Sequence, residues 1–319
     1  MQSDLFDSVE ENQVPAEAVS SVSDYSITDT DHPVPVGTAF SGHLNKMRVK
    51  FAAPANASEQ NERKSVEYSL DGLSINRLIG RSLKLTYKNH IKCIGCGADT
   101  NKSFSQGFCY KCFTTKAACD SCIMSPEKCH FDQNTCREPG WGEQYCNQSH
   151  YVYLANSSGV KVGITRGTQV PTRWIDQGAS QALPIVRTSN RHVSGLVETV
   201  LKQHVADKTN WRNMLKGKPE ALDLKSVRDR LLEETKAEIE EITNRYGIHC
   251  IQPLLHAETV EIDYPVSNYP EKVTSFNFDK DPEVSGVLQG IKGQYLILDT
   301  GVINLRRFTG YDVDIEVLD

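Results

Sequence analysis

The sequence predicts a multi-domain α+β chain whose middle third is organised around metal. Three observations predict this. Strand-like, β-branched runs occupy both ends of the 319 residues, nine of the ten cysteines fall between Cys93 and Cys146, and strand and helix patterns alternate from residue 151. A chain of this length is expected to divide into several units, each with its own core.

Residues 1–35 carry eight acids and no lysine or arginine, with few large apolar groups. They read as a disordered acidic tail. Residues 36–90 form an N-terminal β-unit, small and barrel-like, with strands in "GTAFSGHLNKMRVKF", "SVEYSL" and "GRSLKLTY" and a polar loop at 53–64. The C-terminal β-unit, 248–319, echoes it. Ser41-Gly42-x-Leu44 parallels Ser285-Gly286-x-Leu288, and Ile75-Asn76 with "GRSLKL" parallels Ile303-Asn304 with "GYDVDI". The echo reads as a weak internal repeat of two related β-units. A Glu-, Lys- and Leu-rich helical segment, 218–247, precedes the C-terminal unit and ends at Gly247.

The cysteine block covers 91–150. Cys93-x2-Cys96 and Cys109-x2-Cys112 have zinc-ribbon spacing. Each Cys-x-x-Cys turn presents two thiolates on one side of a knuckle, and two knuckles complete a tetrahedron around Zn²⁺. Five further cysteines follow within 119–146, and they point to a second structural zinc. Cys146-x3-His150 places two donors one helical turn apart, and Cys122 and Cys129 flank the turn at Pro126. Cys119, Cys136 and His130 compete for the same role.

No apolar run approaches the roughly 18 residues of a membrane span. The acidic N-terminus lacks the basic-then-apolar pattern of a secretory leader. Both features point to a cytoplasmic protein with no membrane partner, in a compartment where clustered thiols signal metal and not disulfides. The net charge is −6, but residues 81–218 hold 19 Lys/Arg against 9 Asp/Glu. A basic middle behind an acidic tail suits a nucleic-acid partner, DNA or RNA. A protein–protein adaptor is the alternative if that charge is scattered.

Residues 151–217 carry the pattern with most chemical content. "YVYLANSSGVKVGIT" reads as a hairpin, "PTRWIDQG" as a helix start, 182–188 as a strand and the stretch from about 192 as an amphipathic helix. This β-β-α-β-α order, with its tyrosine, glycine, arginine and glutamate, resembles the core of the GIY-YIG nuclease superfamily. The resemblance implies metal-dependent phosphodiester cleavage. Tyr153 would be the base, its pKa lowered by Lys161 or Arg173. Arg173 would clamp phosphate, Glu198 would hold Mg²⁺, and Asn210 or Asn213 would match a later asparagine. Two positions depart from the family pattern. Lys161 replaces the first residue of YIG, and Gln177 stands where many members have histidine. Those departures leave binding without cleavage as the other outcome, since a lysine still serves phosphate as a point charge. The longer string from "CIGCG" through "SPEKCH", "SSGVKVGITR" and "TNWR" to "GIKGQYLILDTGVIN" also resembles an uncharacterised bacterial domain-of-unknown-function family. That resemblance favours Cys122, Cys129, Cys146 and His150 as the second zinc quartet.

Overall fold

Strands account for the two ends of the chain, as their β-branched alternation requires, and they pair across the ends as well as within them. The structure, a computed structural model, describes residues 34–52, 63–205 and 210–319. Residues 1–33 of the acidic tail expected at 1–35, and most of the polar insert expected at 53–64, lie outside the described residues. The elements in chain order are β1 (Gly37–His43), β2 (Arg48–Phe51), β3 (Lys64–Leu70), β4 (Leu73–Ser74), β5 (Ser82–Ile91), α1 (Tyr110–Thr115), α2 (Ser121–Met124), α3 (Pro139–Tyr145), β6 (His150–Asn156), β7 (Val160–Arg166), α4 (Thr172–Asp176), β8 (Gln181–Thr188), α5 (Arg191–Lys202), α6 (Trp211–Met214), α7 (Leu224–Glu234), α8 (Lys236–Tyr246), β9 (Ile251–Pro253), β10 (Val260–Asp263), β11 (Glu283–Lys292), β12 (Tyr295–Leu298), β13 (Gly301–Asn304) and β14 (Tyr311–Val317). The class is therefore mixed α and β. None of the described helices is long and apolar enough to cross a membrane.

One sheet has the order β1-β14-β5-β11-β12-β13 and draws on both ends of the chain. The two halves of the internal repeat exchange strands within it. Leu44 pairs with Gly310 and Tyr311 of the second half, through Leu44 N to Tyr311 O at 2.7 Å and Gly310 N to Leu44 O at 2.8 Å. Leu288 pairs in the same way with Gly80 and Arg81 of the first, through Gly80 N to Leu288 O at 2.8 Å and Leu288 N to Arg81 O at 3.0 Å. Gly80 and Gly310 adopt the same left-handed φ of +87°, each after a short 3₁₀ turn, at Ile75–Leu78 and Leu305–Phe308. The repeat is thus structural, and the terminal segments are interlocked instead of merely adjacent.

The second sheet runs β2-β3-β10-β8-β6-β7, with β4 on β3 and β9 on β8. The hairpin β6–β7 has Tyr153 directly opposite Gly163, and β8 lies antiparallel on the other side of β6. Strand β6 is almost wholly buried, because α5 and α7 cover this part of the sheet. Val152, Leu154, Val162, Leu183, Val193, Val197 and Leu201 make the shared core, and Leu224 and Leu231 close it. Asn190 caps α5 by accepting from Val193 N at 2.9 Å. The long helical segment is broken into α7 and α8 at buried Thr235, whose hydroxyl bonds back to Leu231 O at 2.7 Å. Cys250, remote from the other cysteines in sequence, is simply a buried core thiol.

The symmetry of the exchanged strands gives a stability test. A Cβ at Gly80 would meet open space, whereas one at Gly310 would lie 2.5 Å from Lys92 O. Gly80→Ala should therefore cost only the left-handed strain of about 1–2 kcal/mol. Gly310→Ala should cost clearly more, since backbone must shift. Equal losses in urea unfolding would contradict this packing.

Candidate functional site

The ribbon cysteines converge as their spacing requires. The sulfurs of Cys93, Cys96, Cys109 and Cys112 all lie within 4.8 Å of one another, and those of Cys96 and Cys109 are 3.9 Å apart. Tetrahedral Zn–S bonds of about 2.3 Å put sulfurs about 3.8 Å apart, so the donor set fits zinc. Amides of Cys109 and Gly95 donate to Cys93 Sγ at 3.2 and 3.4 Å. Burial opposes ionisation, yet the amides of Cys109, Gly95 and Cys96 bring the Cys93 thiol down to about 6. Burial and its three sulfur neighbours push Cys112 up to about 12, as expected when charges crowd a site made for a cation. The ribbon is locked to the terminal sheet at Gly107, where a Cβ would lie 2.7 Å from Thr309 O.

The second group of cysteines is looser. Cys122 and Cys129 are hydrogen-bonded to each other. That bond, assisted by the Phe131 amide, His192 and His130 and opposed by burial, lowers Cys129 to about 6, while the same bond and burial raise Cys122. Cys146 lies close enough to feel Cys129, and a small cleft lined by Cys129, Asp132, Cys146 and His192 opens onto them. His150 is buried, its Nδ1 2.7 Å from Gln148 O and its Nε2 without any partner. A second convergence brings Asp120, Cys122 and His130 within 4.8 Å of one another. Asp120 is already engaged there by Arg137 at 2.9 Å and His130 at 3.4 Å. This block is joined to α5 at Gly195, where a Cβ would lie 2.6 Å from Glu127 N, and by Arg191, which donates to Ile123 O at 2.7 Å.

Tyr153, Lys161, Arg173 and Glu198 lie close enough to act on one another electrostatically. Tyr153 is fully buried. Its ring lies across Gly163, where a Cβ would come within 2.6 Å of the phenol oxygen, which accounts for the glycine in "KVGIT". The hydroxyl donates to Gln177 Oε1 at 3.0 Å and is within hydrogen-bonding reach of Arg173. Burial drives the Lys161 ammonium down to about 8, with Arg173 adding to the fall and Glu198 opposing it. Burial raises Glu198, while Lys202, Arg191 and Arg173 hold it toward the charged form. Lys202 Nζ is 3.3 Å from its Oε1. One expectation is overturned. The Tyr153 phenol is raised, not lowered, because burial outweighs the favourable field of Arg173 and Glu198 adds to the rise. At neutral pH it is a proton donor.

Asn210 has a different place. It caps α6, accepting from Asn213 N at 3.2 Å, and its amide donates to Ser158 Oγ at 3.0 Å. Asn213, the other candidate, supplies that capped amide. Arg191, Asp176 and Arg306 join this neighbourhood without a signal in the sequence. Arg191 feels Cys146 and Cys122 on one side and Arg173 and Glu198 on the other, and its Nε is buried without a partner. Arg306 is close enough for Arg173 to depress its pKa, after burial and against the pull of Asp176. Asp176 sits in the quoted "PTRWIDQG" but has no role in the family pattern, and Arg191 and Arg306 stand in no motif, so only the folded arrangement reveals them.

The ribbon geometry predicts that Cys93→Ser or Cys112→Ser protein, assayed by elemental analysis, carries one zinc per chain fewer than the wild type. An unchanged ratio would remove the ribbon assignment.

No curated protein and no solved structure matches the chain, GIY-YIG nucleases included. A family model does match, over residues 80–313, from the strand β5 through the cysteine block and hairpin to β14. That span is most of the chain, and the protein belongs to the family described as "protein of unknown function" (DUF2797).

Proposed function

We propose that the protein binds nucleic acid at the Tyr153–Lys161–Arg173–Glu198 site, on a scaffold held by two structural zinc ions. The observation that carries this reading is an excess of cations. Lys161, Arg173, Arg191 and Lys202 act on or lie in the field of the Glu198 carboxylate, and Arg306 adds a fifth cation near Arg173. Against them, the only other acid among the described residues that acts on Tyr153 is Asp176, itself already held by Lys46 and Gln294. Desolvated like charges oppose folding. They are explained by a ligand that brings negative charge, and the unpartnered Arg191 Nε and the Arg173 fork suit phosphate oxygens.

In this reading Arg173 clamps a phosphate, Lys161 serves it as a point charge, and the protonated Tyr153 hydroxyl donates to it or holds Gln177 in place. Cleavage is the second reading, supported by the approach of Glu198 to Tyr153 and Arg173 and by the likeness to GIY-YIG cores. A Mg²⁺ at Glu198 would supply charge neutralisation at the leaving oxygen. Lys202 would have to give up its contact with that carboxylate first.

The second zinc is assigned to Cys122, Cys129, Cys146 and His150. A histidine whose Nδ1–H is taken by a carbonyl and whose buried Nε2 has no partner has the orientation of a metal ligand. His150→Ala should lose one zinc per chain and keep the ribbon ion, whereas His130→Ala should keep both. The reverse pattern would move the site to the Asp120–Cys122–His130 trio.

Binding is tested by fluorescence anisotropy with labelled DNA and RNA. Affinity should fall steeply with salt and drop at least about tenfold in Arg173→Ala. Salt-insensitive or absent binding would sink the proposal. Incubation with Mg²⁺ separates the second reading: cleavage by wild type and not by Glu198→Gln supports it, and no cleavage by either leaves binding alone. Lys161→Met supplies a complementary signature. The folded pKa of Lys161, about 8, lies below its ordinary 10.5, so its contribution to stability rises as pH climbs through that window. The methionine variant should melt higher at pH 7 and bind nucleic acid more weakly. A variant that melts lower and binds normally would mean Lys161 is structural.

A further inference from the structure

We propose that His43, His90 and Asp312 form a third divalent-cation site, distinct from both cysteine clusters and independent of the nucleic-acid reading. The three residues lie on β1, β5 and β14, neighbouring strands of the terminal sheet with β14 in the middle. His43 is directly opposite Asp312 in the β1–β14 register. His43 Nε2 is 3.1 Å from His90 Nδ1, His90 Nδ1 is 3.9 Å from Asp312 Oδ2, and the donor atoms all fall within 4.8 Å of one another. Nitrogen and oxygen ligands about 2.0–2.1 Å from a tetrahedral zinc are separated by about 3.4 Å, so this spacing brackets a metal.

Regular β alternation would not gather these side chains, and the backbone departs from it at this point. Between β14 and β5 the register runs from Tyr311↔Ile91 to Val313↔Tyr87, so Lys88, Asn89 and His90 together face the single residue Asp312. Asn89 at the centre of this bulge has a left-handed φ of +56°. Such a conformation in a non-glycine residue is held against about 1–2 kcal/mol of strain, and bulges of this kind re-aim side chains at functional positions. Here the bulge lets both Lys88 and His90 reach Asp312.

The surrounding contacts are those of a metal histidine and its supports. His90 Nε2 is 2.9 Å from Asp99 Oδ1, a carboxylate that would fix the tautomer leaving Nδ1 free for the ion. Lys88 lies 3.1 Å from Asp312 Oδ1, which leaves Oδ2 on the histidine side. Lys88 and nearby Lys92 reduce the negative charge of the site, whereas Asp99 and Asp314 restore it. Two imidazoles and a carboxylate suit Zn²⁺, Co²⁺ or Ni²⁺ better than Mg²⁺ or Ca²⁺. Three protein ligands leave a coordination position for water or an exogenous ligand, unlike the closed four-cysteine ribbon. All three residues are half-buried, so the ion is exchangeable from solvent.

The test uses full-length protein that retains its thiolate-bound zinc after dialysis against a weak chelator. Isothermal titration with Zn²⁺ should show one further equivalent. His43→Gln and His90→Gln should abolish it without changing the zinc retained or the melting temperature in the absence of added metal. Asp99→Asn should weaken it about tenfold or more. Co²⁺ taken up at this site should lack the thiolate charge-transfer absorption that cobalt shows at cysteine sites. Uptake undiminished in the histidine variants, or a charge-transfer band for the added cobalt, would overturn the proposal. Should the variants misfold, anomalous diffraction from a Zn²⁺-soaked wild-type crystal decides it: a peak between His43 and His90 is expected, and its absence is contrary.

Discussion

The carboxylate of Asp176 is almost wholly buried, at 3% side-chain exposure, and residues from both ends of the chain reach it. Lys46 forms an ion pair with it, Gln294 donates to it at 2.9 Å, and Arg306 stands 3.8 Å away. Gln294 extends the grip by accepting from Met47 N at 2.9 Å and donating to Met47 O at 3.1 Å. The short helix α4 is thereby pinned between the link that follows β1 and the elements around β12 and β14. Because α4 carries Arg173 and ends at Gln177, its placement sets the two partners of the Tyr153 hydroxyl. Removing one member of a buried, hydrogen-bonded charge network typically costs about 3–5 kcal/mol, as the remaining charges lose their partner. The candidate site is thus held by a network outside its own hairpin.

The ribbon and the second cysteine block are joined to this framework at glycines. Gly107 lies against Thr309, and Gly310 against Lys92, so the ribbon meets the exchanged terminal strands with no room for a side chain. Gly195 does the same where α5 crosses the second cysteine block at Pro126 and Glu127. Structural zinc in such segments couples metal binding to folding. Arg191 feels the charges of Cys146 and Cys122 as well as those of Glu198 and Arg173.

Local chemistry was legible in the sequence, and long-range assembly was not. The Cys-x-x-Cys spacing gave the ribbon because both knuckles are local turns. The apolar periodicity gave α5, and alternation with Ser-Ser-Gly gave the hairpin. The echo between Ser41-Gly42 and Ser285-Gly286 hinted at the repeat, but pairing across the halves depends on contacts more than two hundred residues apart, which no local pattern encodes. Asp176 looked like any solvated helix acid. The expected lowering of the Tyr153 pKa was reversed for a definite reason: the sequence shows its cationic neighbours but not the burial that outweighs them. His43, His90 and Asp312 were invisible because a bulge brings them together.

The central claim is that Tyr153, Lys161, Arg173 and Glu198 act on one anionic ligand. A crystal structure of the zinc-loaded protein with a non-hydrolysable oligonucleotide and Mn²⁺ tests it most directly. The account predicts a phosphate seated on Arg173 within reach of Lys161 and the Tyr153 hydroxyl. A phosphate bound elsewhere, with Lys202 still on Glu198 and Gln177 still on Tyr153, would contradict it.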